Sequence, residues 1–354
     1  MLSQPNPMPV AQVNAGLHDK LLPNLDGIRA CACLLVVMTH MPLPMSAEII
    51  GPTGVGIFFV LSGFLMGHLY GGRAWTFLDA IRYGIARFSR IAPIYWVVIS
   101  LCIGLSWVLP GDFSMRISGA TQILRHYLFG GSVSIFWSIG PEVQYYIFFL
   151  FVWWALASRL RSQVALPLLG LVCAAMLLTH AWWPGLALPN KLHFFLAGTL
   201  AGLAPRPTMA TRESQLGLSG LQVLAILVLL SPHALYASKE AFYDSVELAL
   251  ALAVAVYVLS FSTPWTACIF ANPVMRRLGQ ASFSIYLLHV LVFYFGMRWL
   301  NLDHRVYEPR WALLAVAGVG IPMLVSRWVE IPLQKVARQR LESLVLIVFK
   351  NKSH

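Results

Sequence analysis

The chain has little charge for its length. Only 11% of its 354 residues are Asp, Glu, Lys or Arg, against about 25% in soluble domains, which excludes a water-soluble globule. Acidic residues are the scarcest: 14 against 25 Lys and Arg, for a formal net charge of +11. Cysteine is sparse too. Cys31, Cys33, Cys102, Cys173 and Cys268 all fall in or beside apolar segments. With no CxxC pair and no Cys/His metal spacing, they read as small packing residues, and no metal is expected. The opening MLSQPNPMPVAQVNAGLHDK has no apolar h-region. A cleavable signal peptide is therefore excluded, and the first span serves as an uncleaved signal-anchor. No soluble domain, low-complexity tract or strong internal repeat shows in the rest.

What the chain does have is apolar length. It is 58% hydrophobic with a mean hydropathy of +0.71, and runs of roughly 18–20 apolar residues recur, each able to cross about 30 Å of hydrocarbon. The expected fold class is all-α: a polytopic transmembrane helix bundle of about ten spans. They are placed at 28–45, 53–70, 89–109, 141–158, 164–183, 191–204, 218–235, 246–262, 282–300 and 311–328, with 120–140 as an interfacial or re-entrant segment. This gives a membrane domain over 25–335 between an N-terminal tail (1–24) and a C-terminal tail (336–354), both cytoplasmic. The basic residues stand in short clusters between spans rather than on one face, which implies membrane lipid and no nucleic acid as partner. With the N-terminus inside, 17 Lys and Arg fall on cytoplasmic segments and 7 on outer ones. That bias supports N-in, C-in and an even number of spans.

Ionisable residues inside spans cost about 2.5–3.5 kcal/mol on insertion scales, so they mark function by default. In RACACLLVVMTH, Arg29 and His40 are 11 residues apart. Eleven steps advance an α-helix by about 1100°, some 20° past three turns, so the two share a face about 16 Å apart. Arg29 then sits at the cytoplasmic mouth and His40 deep in the bilayer. The alternatives are a snorkelling anchor and a packed histidine. His289, in SFSIYLLHV, lies about 12 Å into its span. Glu142, in FWSIGPEVQYY, follows a proline at a helix start, where a carboxylate is favoured. Arg82, Arg87 and Arg90 form a basic cluster before IAPIYW, suited to topology anchoring or to phosphates. Glu330, in VEIPLQK, closes the last span beside Arg327, where a local ion pair is one reading. In GPTGVGIFFVLSGFLMG, Gly63 and Gly67 have the GxxxG spacing of close helix approach, and Ser62–Gly63 is a place for the helix to bend or open.

Taken in order, NLDGIRACACLLVVMTH, GVGIFFVLSGFLM, RFSRIAPIYW, FWSIGPEVQYY, ASFSIYLLH and VEIPLQK resemble the bacterial membrane acyltransferase family 3, the integral-membrane O-acyltransferases of surface polysaccharides. They run from about residue 24 to 335. The resemblance implies about ten helices in the bacterial inner (cytoplasmic) membrane, no bound cofactor, cytoplasmic acetyl-CoA or another acyl-CoA as co-substrate, and a glycan hydroxyl as acceptor. It carries the family's essential Arg and His onto Arg29 and His40, and its two glutamates onto Glu142 and Glu330. Two departures stand out: Phe88 separates Arg87 from Ser89–Arg90 where the family often has Arg-x-Arg, and an acidic pair is reduced to Pro141–Glu142. No oligomeric state is implied.

Acyl transfer to an alcohol needs a base and donors for the oxyanion. The expected base is His40, acting on the acceptor or through a brief acyl-histidine. Arg29 orients the donor, Arg87 and Arg90 grip CoA phosphates with Arg82 near, and Glu142 holds an imidazolium or sugar hydroxyls. His289, Ser62 and Glu330 are second-rank partners, and the glycine-rich second span makes room for the acyl or pantetheine chain. The competing class is a transporter or flippase, since intramembrane His, Arg and Glu also line substrate paths.

Overall fold

The computed structural model describes residues 22–42, 48–109, 111–207, 211–303, 306 and 308–351. Most of the N-terminal tail, with Lys20, and also Arg305, Lys352 and residues 43–45 of the first predicted span, lie outside them. The described residues are helical throughout, with no strand. Ten principal helices follow the ten predicted spans: α1 (Pro23–Thr39), α2 (Ile50–Tyr70), α3 (Phe77–Val108), α4 (Ile139–Leu156), α5 (Arg159–Leu178), α6 (Leu188–Leu203), α7 (Arg212–Leu230), α8 (Val246–Leu259), α9 (Ser282–Leu300) and α10 (Arg310–Val325).

Among the described residues, seven helices are long and apolar enough to cross a membrane, or eight if α8 and the bent Pro264–Phe270 helix form one broken span. The chain is thus a multi-pass membrane protein. The count falls below the expected ten chiefly because α1 and α6 have only 17 and 16 residues, about 26 and 24 Å of rise. Proline sets the limits of α1. Pro23 occupies its first turn, where the missing N–H costs nothing, and Pro42 beyond it disfavours further helix. His40 therefore sits at the C-terminal cap of α1, not deep within a span.

The segment 120–140 forms a short helix, Ala120–Tyr127, and a 3-10 turn, Ser134–Ser138, that leads into α4. At the other end of the chain α10 continues through a π-turn, Ser326–Glu330, into a helix over Ile331–Asn351. The expected C-terminal tail is therefore largely helix.

The tightest seam joins α2 to α6, which run parallel. A Cβ on Gly63 or Gly67 would lie 2.0 or 2.4 Å from the carbonyl oxygens of Phe195 and Thr199. Gly198 and Gly202 of α6 face Val60 and Phe64 in return, at 2.1 and 2.2 Å. The predicted GxxxG contact is thus reciprocal, backbone against backbone, as small-residue pairs permit in lipid. Thr199 reinforces it by donating to the Gly63 carbonyl at 3.2 Å. This corrects two expectations: α2 is unbroken at Ser62–Gly63, and its glycines leave no room for an acyl chain.

α1 packs antiparallel to α2, where Gly51 meets Thr39 and Gly54 meets Ala32. It packs parallel to α9 in a fixed register: Cys33 bonds to the Ser282 carbonyl, and His40 meets His289. Each pair is seven residues beyond the other, two helical turns.

Candidate active site

α1 carries two polar groups, one toward each end, and each belongs to a different cluster. Near its start, Arg29 lines a pocket with about 690 Å3 of free space, shared with Ser62, Arg87, Arg90, Glu142 and Tyr146. Glu142 lies in the first turn of α4, as the sequence indicated. Its Oε1 accepts from Ser62 Oγ at 2.7 Å and from the Tyr146 hydroxyl at 2.6 Å. Arg29 approaches Asp26 at 4.0 Å. Neither Arg87 nor Arg90 has an ion pair among the described residues, so three guanidinium groups share one lining carboxylate.

Arg87 sits among tyrosine rings, 5.9 Å from the centroids of Tyr70 and Tyr83 and 5.7 Å from Tyr146. Such faces favour a cation. They cannot accept its N–H groups as an anion does, and the buried Nε has no hydrogen-bond acceptor. Arg82 is elsewhere. It precedes Arg87 by five residues, about 140° around the helix, and half-exposed it meets Asp79 at 3.7 Å. It does not line the pocket.

A second, apolar pocket of about 550 Å3 adjoins the first, sharing Arg87, Ile91 and Tyr146. Phe88, Phe129 and Leu150 complete much of its wall. The open space beside the arginine pocket therefore lies between α3 and α4.

At the other end of α1, His40 and His289 form a dyad, with His289 Nε2 3.2 Å from His40 Nδ1. Their tautomers follow from their partners. His289 Nδ1 lies 2.9 Å from the Ile285 carbonyl; a carbonyl only accepts, so this nitrogen carries the proton. His289 is fully buried and held neutral, because an unpaired buried cation is costly. Its Nε2 then offers a lone pair to His40 Nδ1. That nitrogen also faces the Val36 carbonyl at 3.0 Å, so it too bears a proton. The lone pair left over is on His40 Nε2, the geometry of a general base.

Tyr286 lies between the clusters. It lines the arginine pocket, its hydroxyl bonds to Ser138 at 2.6 Å and donates to the Ile135 carbonyl, and its ring centroid is 6.2 Å from that of His289. Glu142 is not beside the dyad, so an imidazolium is not its partner. Glu330 does not pair with Arg327, whose guanidinium lies over Trp328. Its buried Oε2 instead accepts from Ser284 and Ser326 at 2.6 and 2.7 Å, and the π-turn brings that carboxylate inward. The sequence reading missed Tyr146 and Tyr286. Tyr146 follows Glu142 by one helical turn, a spacing that places both on one face, and Tyr286 stands three before His289.

Among the described residues no cluster of three potential metal ligands occurs.

The class of this membrane helix bundle, with its arginine pocket and histidine dyad, comes from sequence comparison. The acyltransferase family 3 profile, described as an acyltransferase domain, matches residues 22–327, and the chain belongs to that family. It is 25% identical to the peptidoglycan O-acetyltransferase OatA of Listeria monocytogenes over 89% of its own length and 56% of OatA. It is 23% identical to the putative O-acetyltransferase SACOL0978 of Staphylococcus aureus over 89% of the chain and 58% of the relative. A putative peptidoglycan O-acetyltransferase of Bacillus subtilis, YrhL, is 26% identical over half of the chain and 31% of the relative. The chain thus spans little more than half the length of such relatives. No solved structure matches it.

Proposed function

We propose that the protein transfers an acetyl group from acetyl-CoA, bound at the arginine pocket, to a hydroxyl of a cell-envelope glycan at the His40 end of the bundle. The observation that carries this reading is the pairing, on one helix, of an anion pocket with a dyad whose outward nitrogen is basic. The relatives' names, which specify O-acetylation and in two cases peptidoglycan, support the acetyl group and a glycan acceptor. The 17-to-7 charge bias supports N-in, C-in topology across a bacterial cytoplasmic membrane, with the arginines facing the donor's compartment and ten helices in the membrane domain.

Arg29, Arg87 and Arg90 engage CoA phosphates, each by charge-assisted hydrogen bonds. Glu142, held by Ser62 and Tyr146, keeps the guanidinium groups apart and in place. The pantetheine arm extends past Tyr286 toward the dyad. His40 Nε2 takes the proton of the acceptor hydroxyl as that oxygen attacks the thioester carbonyl. Its Nδ1–H, donated to His289 Nε2, steadies the imidazolium so formed. The tetrahedral intermediate collapses, the C–S bond breaks, and the proton passes from Nε2 to the departing sulfur, giving free CoA and the acetyl ester.

The test uses the purified protein in lipid nanodiscs, with labelled acetyl-CoA and peptidoglycan fragments. Acetylated glycan and free CoA are expected. A transporter yields neither, and that outcome overturns the reading.

A further inference from the structure

A second group of buried titratable residues lies at the His40 end and takes no part in the chemistry above. The parallel α2–α6 seam places the start of α6 beside the start of α2, which itself meets Thr39. There Lys191 is only 5% exposed. Its Nζ lies 4.0 Å from the centroid of the Tyr243 ring, and among the described residues no carboxylate comes within ion-pair distance. The nearest acid, Asp244, contacts His180 Nε2 instead, at 3.6 Å.

His193, two residues on, is 4% exposed; the Tyr243 backbone is its hydrogen-bonding neighbour, and no side chain bonds to either ring nitrogen. Burying a cation without an acceptor is costly. Both stand in the first two turns of a 16-residue helix. The charges of Asp244 and Glu240 act on Lys191 from a distance, and among the described residues neither carboxylate is in contact with it.

The cluster is close to the dyad. One short helix, Lys239–Asp244, carries Tyr243, and its Phe242 meets Gly56 of α2 beside Phe194. Gly51, five residues earlier on α2, meets Thr39, the neighbour of His40. Trp137 packs edge-on to Tyr243 at 5.6 Å, and its neighbour Ser138 bonds to Tyr286. Trp137, half-buried, offers an apolar face for a sugar with a charge anchor near its edge.

We propose that Lys191 and His193 form an acceptor subsite that holds the carboxylate of an acidic glycan while a hydroxyl of the same glycan meets His40. The proposal rests on the acetyl-transfer reading for its purpose, but its geometry makes a separate prediction about binding. Lys191 supplies the ion pair and His193 a hydrogen bond from a ring N–H, while Trp137 meets the sugar ring. Neutral glycans leave both groups unsatisfied and bind less well.

The experiment measures binding without donor, by titrating the full-length protein in nanodiscs with a muropeptide-type oligosaccharide and with its methyl ester, following tryptophan fluorescence. The acid is expected to bind about tenfold or more tighter than the ester, as one charged hydrogen bond warrants. Lys191→Met should abolish that preference while leaving ester affinity within about twofold, Lys191→Arg should restore most of it, and His193→Phe should reduce it. Equal affinity of the wild type for acid and ester overturns the subsite, as does an undiminished preference in Lys191→Met. Loss of acid and ester binding together in that variant assigns Lys191 a structural role and also overturns it. Selective acid binding without acetyl transfer on adding acetyl-CoA keeps the subsite and overturns the acetyl-transfer reading instead.

Discussion

The two ends of α1 handle buried polarity in opposite ways. At the Arg29 end, cations outnumber their partners: three guanidinium groups line one pocket around a single carboxylate, and Arg87 Nε has no acceptor. At the His40 end, the dyad is closed on itself, with each Nδ1 assigned by a carbonyl and only His40 Nε2 left over. On the reading proposed above, the first arrangement takes a polyanion and the second takes one proton.

That contrast can be broken at several points. The largest expected effect belongs to the frame that holds both ends. Gly198→Leu places side-chain atoms where a Cβ alone lies 2.1 Å from the Val60 carbonyl oxygen, so α2 and α6 must part. Fluorescence-detected size exclusion should show little folded protein, as overpacking costs about 1–3 kcal/mol or more. Next comes His40→Ala. Removing a general base lowers turnover by about 100-fold or more, while retention on immobilised CoA should be unchanged; loss of both would merge the two ends. Arg87→Ala should do the reverse, raising the KM for acetyl-CoA by about tenfold with a smaller change in kcat, since one charge-assisted bond to phosphate is lost.

Arg82→Ala sharpens the boundary of the pocket. Exposed and paired with Asp79, Arg82 should alter the KM for acetyl-CoA by less than about twofold. The smallest effect is expected at Asp112, which is bound to Arg298 at 2.7 Å on the surface. Hydrogen bonding to that guanidinium holds the Asp112 carboxyl below its ordinary value of 3.8. A depressed carboxyl contributes at neutral pH, and its contribution is lost only as pH falls through that lowered value. Thermal melts of Asp112→Asn should therefore match the wild type at neutral pH within about 2 °C, because exposed pairs contribute little.

Much of this was legible in the residues. Apolar run length located ten helices, and the GxxxG spacing announced the α2–α6 contact. Helical phase put Arg29 and His40 on one face of α1. Phase within one helix says nothing of which partner meets which group, so the sequence left Glu142 between an imidazolium and sugar hydroxyls. Its actual partners are Ser62, 80 residues earlier, and Tyr146. His289 was ranked second because nothing local tied it to His40, 249 residues away. Only the parallel register of α1 and α9 joins them. Glu330 was read with its neighbour Arg327 because a π-turn is invisible to a 3.6-residue period; that extra residue per turn re-aims the carboxylate toward Ser284 and Ser326.

The α2–α6 seam also bears on how the molecule moves. Two helices in carbonyl contact along four glycines have no side chains between them to repack, so sliding or parting them has no low-cost intermediate. Both pockets instead border α3 and α4, whose facing surfaces are tyrosine, phenylalanine and isoleucine, side chains that can shift against one another. One face of α2 is thus locked against α6 by its glycines, while another, with Ser62 and Met66, lines the arginine pocket.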